Sequence, residues 1–177
     1  MFWSSGSDTV NYSIRLTSSR FQWSPEHFLH LGFGYSRRQN TQESTEIKSR
    51  PESHLAPFLV DTGEFDSDSN DLFVPEVAWV RGPLSLQGEY FIEPINAPDY
   101  GNPTFQSGYA QVSYFLTGEH RNYSSEDGGF LAINPKRNFI GQGFAKGPGA
   151  WEVAARLPVD PGPEQRYDPG RETHGSD

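Results

Sequence analysis

GYAQVSYFLTGE, residues 108–119, alternates two kinds of side chain. In an extended chain Gly108, Ala110, Val112, Tyr114 and Leu116 fall on one side. Tyr109, Gln111, Ser113, Phe115 and Thr117 fall on the other, because successive strand side chains point to opposite faces. One row is small and apolar and the other more polar, so the stretch reads as a strand between two different surroundings. The pattern recurs on both sides of it. Residues 84–93 set Leu84, Leu86, Gly88, Tyr90 and Ile92 against Ser85, Gln87, Glu89, Phe91 and Glu93. They form a hairpin with residues 72–80 through the tight turn Arg81-Gly82-Pro83. Further on, Trp151, Val153, Ala155 and Leu157 alternate with Glu152, Ala154 and Arg156. Upstream, Leu29, Leu31, Phe33 and Tyr35 oppose His30, Gly32, Gly34 and Ser36, with glycines that permit close approach or curvature. The most regular strand is the first, where Val10, Tyr12, Ile14 and Leu16 oppose a wholly polar row whose cation is Arg15.

The segments between these strands read as connections. Residues 18–26 carry Phe21 and Trp23. Residues 37–50 are polar on both faces and mix charges, so they project from a sheet or form a loop. DTGEFDSDSND, residues 61–71, reads as a solvated acidic loop; the spacing of an EF-hand calcium loop is absent. Residues 119–148 form a long connection with Asp127-Gly128-Gly129 and Gly147-Pro148-Gly149 as turns. A long connection at this place breaks the short-turn, long-loop alternation of a meander, unless a further strand lies near residues 130–140. Residues 158–177 are Pro-rich and aperiodic and read as a disordered tail, which leaves residues 1–157 as one antiparallel, all-β domain.

The totals narrow the class. Gly 18 and Pro 14 among 177 residues favour turns over long helices, and 34% hydrophobic residues with 14% aromatics is poor material for a thick soluble core. It suits a membrane barrel, whose polar interior and thin apolar band average to modest hydropathy. A formal charge of -9 argues against nucleic acid as a partner. With Cys 0, disulfides and thiolate chemistry are excluded. No run approaches the ~18 apolar residues of a membrane helix, and MFWSSGSDTV has neither the basic start nor the apolar stretch of a signal peptide. Catalysis finds no nucleophile elbow, phosphate loop or metal spacing, and no cofactor is implied. Glu89 and Glu93 on one strand face stand roughly 13 Å apart at ~3.3 Å per residue, beyond the ~5 to 9.5 Å of a glycosidase pair. His30, without a second ligand at suitable spacing, reads as a polar interior histidine.

Three segments, taken in order and spacing, resemble the phosphate-selective porin O and P family. They are residues 82–90 (GPLSLQGEY), 108–123 (GYAQVSYFLTGEHRNY) and 149–157 (GAWEVAARL). LHLGFGYSRR from Leu29, and SRPESH from Ser49 leading to VDTG at Val60, are similar to the family as well. The resemblance implies a bacterial outer-membrane barrel of ~16 antiparallel strands in contact with lipid. It further implies a homotrimer that passes phosphate or other small anions. The chain then corresponds to the later-middle part of such a barrel, roughly half of it. The family's first strands, its signal peptide and its closing aromatic strand are unmatched. Half a barrel has two open edges, so a lone copy is not expected to form a channel.

The family's selectivity is attributed to pore-lining cations, and parity supplies the candidates here. Arg15 and Arg156 fall on polar faces, as do Glu89 and Glu152, which partly cancel their field. Arg121, Lys136 and Arg137 reach a pore mouth if their connection folds inward. Tyr35, Trp79, Tyr109 and Trp151 lie near strand ends and are the candidates for interfacial aromatics. Two other readings compete: a soluble β-sandwich that binds carbohydrate on exposed Trp79, Tyr90 or Trp151, and a truncated product without a function of its own.

Overall fold

The computed structural model describes residues 10–39, 44–49, 60–139 and 147–159. Ten strands are present among them: β1 (Val10–Ser24), β2 (His27–Gln39), β3 (Ser44–Ser49), β4 (Val60–Asp66), β5 (Ser69–Arg81), β6 (Leu84–Asn96), β7 (Thr104–Phe115), β8 (Tyr123–Ser124), β9 (Gly129–Phe130) and β10 (Glu152–Val159). Six of them form one sheet in the order β1-β2-β5-β6-β7-β10, antiparallel throughout. β5 and β6 have 13 residues each, longer than the ~9–11 residues with which a tilted strand crosses a bilayer. Among the described residues the sheet does not close on itself, and β1 and β10 are its edges.

Register carries the alternation of each strand across the whole sheet. Ile14 lies opposite Tyr35, Leu16 opposite Phe33, Leu31 opposite Val77 and Leu29 opposite Trp79. Val77 continues to Gly88, Ala110 and Leu157, and Trp79 to Leu86, Val112 and Ala155. The result is one continuous apolar face that nothing among the described residues covers. Leu16 is 61% exposed and Leu157 69%. Removing such a face from water is strongly favourable, at about 25 cal/mol per Å², so its exposure marks a missing apolar neighbour.

The opposite face is polar and largely covered. The tight turn at Gly82-Pro83, with Gly82 at φ 55, and the turn at residues 25–26 lie at one end of the sheet. The connection from β7 to β10 leaves from that same end, where Phe115 N–H donates to the Pro83 carbonyl and Leu116 N–H to that of Trp151. It then runs back over the polar face. At the other end residues 97–103 make a short link with a 3-10 turn, Pro98–Tyr100. There β3 and β4 pair as a separate arm, whose Phe65 packs with Ile95, Ala97 and Phe105.

Several expectations change. β1 runs on through residues 18–24, because register shifts between Ser18 and Phe21 and between Gln22 and Ser24 break the alternation without ending the strand. The acidic stretch 61–71 is not a loop but strand β4 and the start of β5: Phe65 is buried while Asp61, Glu64 and Asp66 stay exposed. No spanning strand lies within residues 131–139; β8 and β9, of two residues each, form a small hairpin within the connection. The alternation of turns and loops fails because this connection folds onto the sheet, not because a strand was overlooked. The expected tail begins inside β10, which includes Pro158 and Val159, and from residue 160 on it lies outside the described residues.

Candidate functional site

Charge, aromatic rings and an inward-folded segment converge on the polar face. Its rows follow from register. Arg15 lies opposite Gly34, Gly32 opposite Glu76, Glu76 opposite Glu89, and Glu89 opposite Tyr109; Gln87, Gln111 and Arg156 form the next row. Each residue is there because its strand alternates, so the face inherits the polar half of every pattern.

Glu76 of β5 is its hub. Its Oε1 accepts from Arg15 Nε at 3.1 Å and Nη2 at 2.6 Å, two strands away. The same oxygen takes His30 Nε2 at 3.1 Å. A carboxylate only accepts, so Nε2 carries the proton, and in the neutral ring Nδ1 accepts from the Tyr123 hydroxyl at 2.5 Å. This reach needs Gly32, since a Cβ there would overlap the Glu76 carboxylate. The next row is built similarly. Tyr109 donates its hydroxyl to Glu89 at 2.8 Å, Arg156 stacks over the Tyr109 ring with Cζ 3.8 Å from its centroid, and Arg156 Nε donates to Gln111 at 3.1 Å.

Within the connection from β7 to β10, residues 116–139 cover this face back toward β1. Tyr123 and Phe130 of the small hairpin pack on Phe28, with ring centroids 4.8 and 6.2 Å away. Arg15 Nη2 reaches the Gly128 carbonyl at 3.4 Å. Arg121 pairs with Glu152 and lies over the rings of Phe115 and Phe130. Glu119 anchors the root of the segment: it accepts from the Thr117 hydroxyl and, at 3.0 Å, from the Lys136 backbone N–H. Those bonds, the Thr117 one foremost, hold its carboxyl below the ordinary carboxylate range. Phe28, Val80 and Phe115 on the sheet are at most 2% exposed as a result. A cavity of about 160 Å³ remains between hairpin and sheet, lined by Arg15, His30, Glu76, Glu89, Tyr109 and Tyr123 among others.

The predicted residues therefore divide. Arg15, Arg156, Glu89 and Glu152 share the polar face. Arg121 folds back onto that face, whereas Arg137 is exposed further along the connection and Lys136 lies beside Gly118. Tyr35, Trp79 and Trp151 belong to the apolar side: Tyr35 stacks on Phe73 and donates to Asp71 at 2.7 Å, and Trp151 Nε1 donates to the Pro148 carbonyl. Tyr109 stands apart from these three, as a polar-row residue between Glu89 and Arg156, because odd-numbered residues of β7 face the covered side. Two bands do occur on the apolar face. Trp23, Trp79 and Trp151 mark the end with the tight turns, Tyr35 and Phe73 the other, and aliphatic side chains lie between. Sequence reasoning missed Glu76, whose neighbours on the same row of β5 (Leu72, Val74, Ala78, Val80) are apolar, and missed Tyr123 as a contact of His30. The alternating glycines Gly32 and Gly34 were the available signal for a side chain reaching across.

A family model described as phosphate-selective porin O and P matches residues 2–158. Porin O of Pseudomonas aeruginosa is 26% identical over 174 residues, covering 84% of this chain and 38% of Porin O. An uncharacterized protein of Caulobacter vibrioides is 29% identical over 119 residues, covering 65% of this chain and 24% of that protein. The chain thus spans well under half the length of these relatives.

Proposed function

The chain belongs to the phosphate-selective porin O and P family, and we propose that its six long strands form part of an outer-membrane barrel that passes small anions such as phosphate by passive diffusion. The observation that carries this reading is the sheet's two-sidedness. A continuous, exposed apolar face is banded by aromatics, as lipid requires, and backs onto a polar face with arginines, as an aqueous lumen requires. On this reading Arg15 and Arg156 line the lumen with Glu89 and Glu152, and Arg121, Lys136 and Arg137 belong to a segment that narrows it. Tyr35, Trp79 and Trp151 lie at the lipid interfaces. Residues 1–157 act as one partial barrel domain, followed by a tail. The barrel assembles as a homotrimer, holds no cofactor and is not an enzyme.

A soluble sandwich would pack a second sheet on the apolar face at ~10 Å, and no described strand is available to do so. The test begins with the native product that carries these peptides. It should fractionate with the outer membrane and, in planar bilayers, give stepwise conductance with chloride more permeant than potassium. Recovery solely in the soluble fraction, or no conductance from the purified membrane form, would overturn the proposal.

A further inference from the structure

Arg15 sits in the middle of β1 with its side chain 52% exposed toward the polar face, yet its charge is not presented alone. Glu76 crosses the width of β2 to meet it, and both Nε and Nη2 converge on a single carboxylate oxygen. The reach is built into the sheet: Gly34 lies opposite Arg15, Gly32 lies opposite Glu76, and a Cβ at Gly32 would occupy the place of the carboxylate. The neighbouring acids have other partners, for Glu89 takes the Tyr109 hydroxyl and Glu152 pairs with Arg121. Glu76 is held in place by His30, itself 5% exposed and bonded to Tyr123.

We infer that Glu76 is a selectivity-setting residue, which lowers the anion preference of the passage by neutralising Arg15 where solute meets β1. The inference rests on the porin reading of this face. Its physical basis is the difference between a bare charge and a close pair. An unpaired guanidinium in a narrow passage with low-dielectric walls focuses its field on the lumen, over the ~8–10 Å that physiological salt allows. A guanidinium with a carboxylate oxygen at 2.6 Å presents only a short dipole, which attracts an anion far less. Losing either partner alone therefore leaves a unit charge on the wall, of opposite sign in the two cases.

The experiment uses the native barrel that carries these strands, reconstituted in planar bilayers under a potassium chloride gradient, with reversal potentials converted to a chloride-to-potassium permeability ratio. Glu76→Gln should raise the ratio several-fold, Arg15→Gln should lower it, and the double variant should return close to the parent. Inorganic phosphate added to the Glu76→Gln channel should block chloride current more strongly than in the parent. A conducting parent whose ratio is unmoved by Glu76→Gln, or moved in the same direction by both single variants, would overturn the role of Glu76 and leave the porin reading standing. A parent that does not conduct removes both. Should Glu76→Gln fail to assemble, Arg15→Gln decides alone, and an unchanged ratio there sinks the inference.

Discussion

Gly32 has no side chain because Glu76 uses that space. Alanine at this position would place a methyl on the Glu76 carboxylate and push it off Arg15 and His30. Overpacking of this kind costs about 1–3 kcal/mol, so Gly32→Ala should lower the urea midpoint of the folded barrel, read from tryptophan fluorescence in vesicles. Gly34→Ala should cost less, since its added Cβ would meet Val74 at an ordinary 3.5 Å. At this scale the sequence was half legible. Parity put Arg15, Glu89, Glu152 and Arg156 on polar rows, and register in the structure keeps them on one face. Parity also put Tyr109 on the polar row, and proximity to a strand end was a poor reason to expect it at the interface. Who bonds to whom was not legible. Glu76 and Arg15 are 61 positions apart, and only the order β1-β2-β5 makes them neighbours.

Among the elements, the connection from β7 to β10 departs furthest from the meander. Its root depends on Glu119, whose carboxylate accepts from Thr117 and from the Lys136 backbone. With its folded pKa below its unfolded one, Glu119 contributes stability that is fully present above the ordinary carboxylate range. That contribution is lost as pH falls through the depressed folded value. Hydrogen exchange at the Lys136 amide, corrected for the intrinsic rate, should therefore stay slow from neutral pH down through the ordinary carboxylate range and quicken only below it. A Glu119→Gln variant should lose this pH dependence. The sequence marked the segment as long and turn-rich but not where it goes, since Tyr123, Gly128 and Phe130 find Phe28, His30 and Thr17 only across the folded sheet. β4 shows the same limit in reverse. Its acids read as a loop, yet burying Phe65 against Ile95, Ala97 and Phe105 makes a strand of it.

For the molecule as a whole, the decisive property is that no described residue covers the apolar face. On the porin reading a charge placed there would meet lipid, at a cost of about 2–4 kcal/mol at the bilayer midplane. Val77, level with Leu31, Gly88, Ala110 and Leu157 in mid-sheet, is the site to probe. Val77→Arg should destabilise folding into vesicles by that amount in a urea titration, whereas Ser13→Arg, on the exposed polar row of β1, should change it little. Equal costs at the two positions would contradict a lipid-facing assignment. The two open edges, β1 and β10, are the other whole-molecule feature, because unpaired backbone groups are prohibitively costly in a bilayer.

Alternation by itself determined the two-sided stretches of the large sheet, their two faces and the all-β class, because side-chain direction in a strand is a local consequence of backbone geometry. The motifs at residues 82–90, 108–123 and 149–157 carried the family. Tertiary structure alone decided that β5 pairs with β2 rather than with β4, that residues 116–139 fold back over the polar face, and that Glu76 meets Arg15. The reason is one of range. Periodicity reports what each residue faces, whereas strand order and an inward fold are set by contacts between residues far apart in the chain, whose pairing no local pattern encodes.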